Sequence, residues 1–302
     1  MKVGFWKRGL LYLGRAILLV YLLIAAGSFL FFNQLMFHPP APHCSEPFKK
    51  QLIELNAADG NRISAVHFKT EGPSKTLIYS HGNAEDIWDR AWMLSLFQKN
   101  GFSVLAYDYP GYGMSTGRPS ERGVYAAAEA AYRYLTEEAG VSPEDIIIYG
   151  RSIGSGPSCY LAQMHPTAGG LVLECGVSSI TRVVTRVRIL PFEAFPNIRR
   201  IGDIHCPVLF IHGDRDEIVP FSHAQKMFER ANKPKYHFWV QGGDHADLEG
   251  CAGEAYWESL KNFLQTLPPP SRSAKEEKTN RLKMRLRNLP PATNLHRLSD
   301  TP

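Results

Sequence analysis

The sequence predicts an α/β fold: a mostly parallel central sheet flanked by helices, a small flap, and one apolar helix ahead of them. Three observations carry this expectation. Short apolar runs alternate with helical patterns between residues 51 and 267, which is how a parallel sheet covered on both faces reads. One run leads into a tight glycine-flanked turn, Gly150-Arg151-Ser152-Ile153-Gly154. A long uncharged segment stands apart near the start.

That segment comes first. Ala16–Phe32 is 17 residues without a charge, extended upstream by Leu10–Gly14 and downstream by Leu35–Phe37. A bilayer needs about 17–25 apolar residues. Lys2, Lys7, Arg8 and Arg15 precede or interrupt the run, and no Lys or Arg follows it before Lys49. The positive-inside rule then places the N-terminus in the cytoplasm and the main domain outside it. A cleaved signal peptide ending near Ala25–Gly27 is the competing expectation. Continuation of the apolar run through Phe29–Phe32 favours an uncleaved anchor. The expected divisions are a stub and anchor over 1–37, a stiff spacer over 38–50 with Pro39, Pro40, Pro42 and Pro47, an α/β domain over 51–267, and a basic disordered tail over 268–302.

Within the domain, Gln51–Asn56 and Ile63–Lys69 read as a hairpin around Asp59-Gly60-Asn61. Thr76–Ser80 is a buried strand ending in His81-Gly82-Asn83, and Phe102–Tyr107 is another. Ser120 can cap a helix reaching about Glu138. Asp145–Tyr149 is a strand, and a sharp turn and helix follow it. Gly170–Glu174, Val208–Ile211 and Tyr236–Val240 complete the strands, and His223 begins a helix. Glu254–Leu267 is a closing helix stopped by Pro268-Pro269-Pro270. The irregular stretch from Cys175 to Cys206 carries Arg182, Arg186, Arg188, Arg199 and Arg200 and reads as the flap.

Charge and cysteines exclude several classes. The formal net charge is +5, and the eight Lys/Arg and three Asp/Glu of residues 271–302 account for all of it. The body is neutral, so a nucleic-acid partner is not expected. None of the five cysteines stands in C-x-x-C spacing, so no zinc site is expected, and one disulfide stays open. Gly111, Gly113 and Gly117 are spaced one residue too long for a dinucleotide loop, and there is no Walker A or H-E-x-x-H. No cofactor or metal is implied, and a monomer is expected.

Gly150–Gly154 is a G-x-S-x-G turn, which presents a serine above the strand ends and opens a helix beneath it. Such a serine needs a base oriented by a carboxylate, in the chain order Ser, acid, His. Ser152 is the candidate nucleophile. His245, in the loop after the last strand, is the candidate base. Asp216 is the favoured acid over Asp214, which could instead brace its turn or pair with Arg215. The oxyanion hole is expected from the backbone N–H groups of Ile153 and Asn83. His81 is expected to hold its loop locally, and Ser115 and Ser155 to serve turns. Arg151 is either a site for anionic substrates or a surface residue paired with a carboxylate.

These residues resemble the α/β-hydrolase-domain proteins that include membrane-associated protein depalmitoylases and their single-anchor bacterial and fungal relatives. The resemblance spans roughly Phe37 to Leu264. It rests on His81–Asp86, Tyr107–Gly113, Ser115–Glu121, Tyr149–Gly154, and His212-Gly213 followed by Asp216. It implies the α/β-hydrolase fold, with the acid at Asp216 and the base at His245. Similar depalmitoylases often carry Gln where this chain has Arg151, and Gly before the histidine where it has Asp244. Asn-Asp usually follows that histidine; here it is Ala246-Asp247. Their N-terminal cysteine cluster is replaced here by the apolar segment. The expected function is a membrane-tethered serine hydrolase cleaving acyl esters, thioesters or lipid-like substrates through an acyl-enzyme. A serine peptidase using the flap arginines for a peptide carboxylate is the alternative, and a non-catalytic tethered binding protein a third.

Overall fold

The computed structural model describes residues 2–41, 51–72, 74–186 and 189–271, with side chains from residue 9 onward. Pro42, Cys44, Pro47, Arg188 and nearly all of the basic tail lie outside the described residues. The four described cysteines, Cys159, Cys175, Cys206 and Cys251, are unbridged.

A helix spans Lys2–Leu30, about 43 Å at 1.5 Å per residue. Its Gly9–Leu30 portion is long and apolar enough to cross a membrane. Leu10, Ile17, Leu23 and Phe29 are exposed on it, so the protein does not cover this surface. A short helix, Phe32–Met36, then turns the chain onto the domain.

Eight strands form one sheet: β1 Leu52–Asn56, β2 Arg62–Phe68, β3 Thr76–Ser80, β4 Ser103–Tyr107, β5 Ile146–Arg151, β6 Gly170–Glu174, β7 Val208–Gly213 and β8 Lys235–Val240. Their spatial order is β1-β2-β4-β3-β5-β6-β7-β8. The β1–β2 and β2–β4 pairs are antiparallel, and the six strands from β4 to β8 are parallel. Strands β3 to β6 are buried along their whole length. That burial is why they appear in the sequence as continuous rather than alternating apolar runs. A core lies on each face, one around Tyr107, Ile148, Leu161 and Phe210, the other around Tyr79, Phe97, Tyr149 and Trp257.

Most expected elements match to within a residue or two. Ser120 caps the Glu121–Arg133 helix by accepting from the Gly123 N–H at 3.1 Å, and a π-helical turn carries it on to Glu138. The helix Ala91–Lys99 is not among the elements expected from the sequence. It lacks a side-chain cap, and its buried face is only Met93, Leu94 and Phe97.

The parallel register brings five strand ends to one edge. Ser80 lies beside Gly150, Arg151 beside Glu174, and Gly213 beside Val240. The loops after β3, β5, β6, β7 and β8 therefore emerge together, where α/β sheets place their sites.

Candidate active site

Ser152 leaves β5 with φ +54°, a conformation that L-residues rarely adopt. The turn is tight because the backbone of Gly154 crosses close to the Ser80 and His81 carbonyls, and a Cβ there would overlap them. The Ser152–Gly154 turn runs straight into the Ser155–Met164 helix. Ser155 Oγ donates to the Ser152 carbonyl at 2.6 Å and fixes the turn from below. The N–H of Ile153 lies in this first turn, where amides lack helical acceptors.

Two loops meet Ser152. His245 Nε2 lies 3.0 Å from Ser152 Oγ, and His245 Nδ1 lies 2.8 Å from Asp216 Oδ2. Asp216 Oδ1 accepts from the Ile218 and Val219 N–H groups at 3.0 and 2.7 Å. His212 Nε2 must be protonated to donate to the Val219 carbonyl at 2.9 Å, and the same nitrogen sits 3.2 Å from Asp216 Oδ2. Burial pushes the Asp216 carboxyl upward. The bonds from His212, His245 and Val219 outweigh burial and hold it well below the usual carboxylate range. Asp214 faces elsewhere and accepts from the Gly242 N–H at 2.6 Å. The structure thus brings Asp216, and not Asp214, to His245.

Arg151 pairs with carboxylates, as one of its two expectations had it, but not at the surface: it is 6% exposed and turned under the site. Its Nη1 donates to Glu85 at 3.1 Å, its Nε sits 3.2 Å from Glu174, and its Nη2 donates to the His245 carbonyl at 2.8 Å. Burial opposes the guanidinium charge, but Glu85 and Glu174 outweigh it and raise the pKa further. Glu174 also accepts from the hydroxyls of Tyr149 and Tyr256, the latter at 2.6 Å. Glu85 also pairs with Arg90. Neither Glu85 nor Glu174 stands out in the sequence as a site residue. The one visible signal is a glutamate ending the otherwise apolar run Gly170–Glu174.

Gly82 and Asn83 divide the work of the β3 loop. The Gly82 N–H is taken by Glu85 Oε1 at 2.5 Å, and a Cβ on Gly82 would meet that oxygen and Arg151 Nη1. The Asn83 side chain is clamped by the end of the N-terminal segment. It donates to the Met36 carbonyl at 2.7 Å, while its Oδ1 accepts from the His38 N–H at 3.1 Å and the Tyr112 hydroxyl at 2.7 Å. Nothing local in the sequence announces this long-range clamp. His81 is fully buried and holds its own loop, with Nδ1 2.8 Å from the Gly82 carbonyl.

Cys175, His212 and Asp216 bring potential metal-ligand atoms within 4.8 Å of one another. The carboxylate is already engaged by His245 and two amides, and burial pushes the Cys175 thiol well up, so it stays protonated. The cluster is a hydrogen-bonding shell around Asp216. Among the flap arginines, Arg182 and Arg199 both pair with Glu193, and Arg200 lies over the Tyr125 ring.

A family model described as alpha/beta hydrolase fold matches residues 75–187. Among solved structures, the Pyrococcus furiosus esterase Pf2001 aligns with a TM-score of 0.64 at 18% identity, over 76% of this chain and 97% of that one. The esterase domain of a Rhodothermus marinus protein aligns with a TM-score of 0.57 at 16% identity, over 72% and 98%. The class is an α/β-hydrolase. Nearer relatives narrow it. Alpha/beta hydrolase domain-containing protein 17B of Homo sapiens is 40% identical over 223 residues, 72% of this chain and 76% of that one. Protein 17C of Mus musculus is 39% identical over 219 residues, 71% and 67%. The chain belongs to this family of alpha/beta hydrolase domain-containing 17 proteins.

Proposed function

We propose that the protein cleaves acyl esters or thioesters through an acyl-enzyme on Ser152. His245 takes the hydroxyl proton as Ser152 Oγ attacks the acyl carbon. The C–O or C–S bond then breaks, and His245 returns the proton to the departing alcohol or thiol. Water repeats the sequence and releases the acid. Asp216 holds the imidazole tautomer and stabilises its charged form. The N–H groups of Ile153 and Asn83 receive the developing oxyanion. The carrying observation is the continuous contact from Asp216 through His245 to Ser152, at 2.8 and 3.0 Å.

The substrate class is an acyl chain presented at a membrane, protein S-acyl thioesters included. Support comes from the largely exposed apolar stretch Gly9–Leu30 and the clamp from Met36 and His38 onto Asn83. In this reading residues 1–37 form an uncleaved anchor with a cytoplasmic N-terminus, residues 51–267 an extracytoplasmic catalytic domain, and 268–302 a basic tail. The test is fluorophosphonate labelling of the membrane fraction, followed by hydrolysis of matched p-nitrophenyl esters and acyl thioesters. Wild type should label and turn over, and Ser152→Ala should do neither. Equal labelling of both forms would overturn the assignment.

A further inference from the structure

A polar cavity lies beside the loops that follow β6 and β7, which bring Ser178 and Pro220 to its wall. It has a volume of about 390 Å³ and is lined by Ser178 and Arg182 from the flap, Arg186 just beyond them, and Ser222, His223 and Lys226 of the Ser222–Arg230 helix. Three of these residues are cationic and none is acidic. Glu193 balances Arg182, with Oε1 2.7 Å from its guanidinium. Arg186 and Lys226 are exposed and have no ion-pair partner among the described residues.

His223 supplies the directional element. It is 6% exposed. The Ser178 backbone N–H, which can only donate, reaches His223 Nδ1 at 3.2 Å, and the Ser178 hydroxyl is 2.9 Å from the same nitrogen. Nδ1 is therefore an acceptor, and the neutral ring carries its proton on Nε2. Burial, reinforced by Lys226, His212 and Arg182 against the pull of Asp216, pushes its pKa down to about 4, so the ring is neutral at pH 7. The Nε2–H has no protein acceptor among the described residues, and the ring lines the cavity. The positive end of the Ser222–Arg230 helix lies at the same place.

We infer that this cavity binds a phosphate group, held by Arg186, Lys226, the His223 Nε2–H and the Ser222 hydroxyl. Two uncompensated cations match the charge of a phosphate ester, and the neutral donors match its several oxygens. The phosphate can come from a membrane lipid headgroup or from a soluble phosphate ester. The flap favours the lipid source. Three residues past Arg186, the Ile189 carbonyl accepts from Tyr21 of the apolar helix at 2.9 Å, and Phe192 packs edge-on against Phe29 and Phe32.

The experiment uses the full chain and does not read hydrolysis. Thermal unfolding in detergent is followed against inorganic phosphate at constant ionic strength. Unfolding in bilayer discs compares phosphatidylcholine alone with phosphatidylcholine plus phosphatidic acid. Wild type is compared with Arg186→Gln/Lys226→Gln, two exposed positions outside the catalytic machinery. Unchanged fluorophosphonate labelling certifies the fold of the variant. Loss of each charged contact should weaken binding about tenfold or more. A phosphate-dependent rise in Tm that the variant loses supports the site with a soluble source. A rise confined to phosphatidic acid discs and lost in the variant supports it with a lipid source. Equal responses of the two proteins in both arms would overturn it.

Discussion

Asp216 and Glu174 are two carboxylates, each 6% exposed, near the ends of the neighbouring strands β7 and β6. They have opposite roles because their partners differ. Asp216 faces an imidazole that touches the Ser152 hydroxyl, so its fixed charge can stabilise that ring when it takes up a proton. Glu174 faces a guanidinium and two phenols that keep their protons. Burial first, and then the nearby Glu174 charge, push the pKa values of Tyr149 and Tyr256 well up. Every donor on Glu174 is therefore permanent. A buried carboxylate marks a reactive site when a partner can change protonation, and a brace when none can.

The largest effect expected from breaking this contrast is on rate. Asp216→Asn should lower kcat by about 10⁴-fold, through loss of the imidazole tautomer and its counter-charge. A loss under about tenfold in steady-state ester hydrolysis would remove Asp216 from the relay. Glu174→Gln should instead act on stability. It leaves Arg151 short of a counter-charge under the site and should cost about 3–5 kcal/mol in denaturant unfolding. The accompanying loss of kcat should stay within about 10²-fold, the scale of a displaced catalytic group.

Arg151→Gln tests the link between the two regions, because one guanidinium touches both Glu174 and the His245 carbonyl. It should cost about 3 kcal/mol and lower kcat with little change in KM. Combined with Glu174→Gln, the penalties should fall well short of additive, since the two residues share one network.

The pH response separates the groups by window. His67 and His223 are both pushed down to about 4, mainly by burial. Between about 6.5 and 4 the unfolded chain binds protons that the folded chain refuses, so stability falls as pH drops through that range. The cost approaches at most about 3 kcal/mol for each ring. His67→Gln should flatten this part of a Tm-against-pH curve. Asp216 acts lower down: its folded pKa is depressed, so its contribution is intact above about 4 and lost below it.

The smallest change expected is at the clamp from the N-terminal segment. Tyr112→Phe deletes the hydroxyl shared by Asn83 Oδ1 and the His38 N–H, 2.7 and 3.2 Å away. Loss of such a bond costs about 0.5–1.5 kcal/mol. If the clamp aims the Asn83 amide, kcat should fall a few-fold alongside a drop in Tm of a few degrees. A drop in Tm with kcat unchanged would make the clamp purely structural.

The sequence by itself determined the parallel sheet, the order of its elements and the serine-bearing turn. Those features are local: a strand buried on both faces must be apolar throughout, and a turn as tight as Gly150–Gly154 must omit side chains. It also favoured Asp216 over Asp214 as the acid. The inward turn of Arg151, the brace at Glu174 and the docking of Met36 and His38 on Asn83 were decided by tertiary structure alone. Each depends on where a charged or polar side chain finds a partner distant along the chain. Hydrophobic periodicity reports which side of an element is buried; it carries no information about which buried polar group meets which.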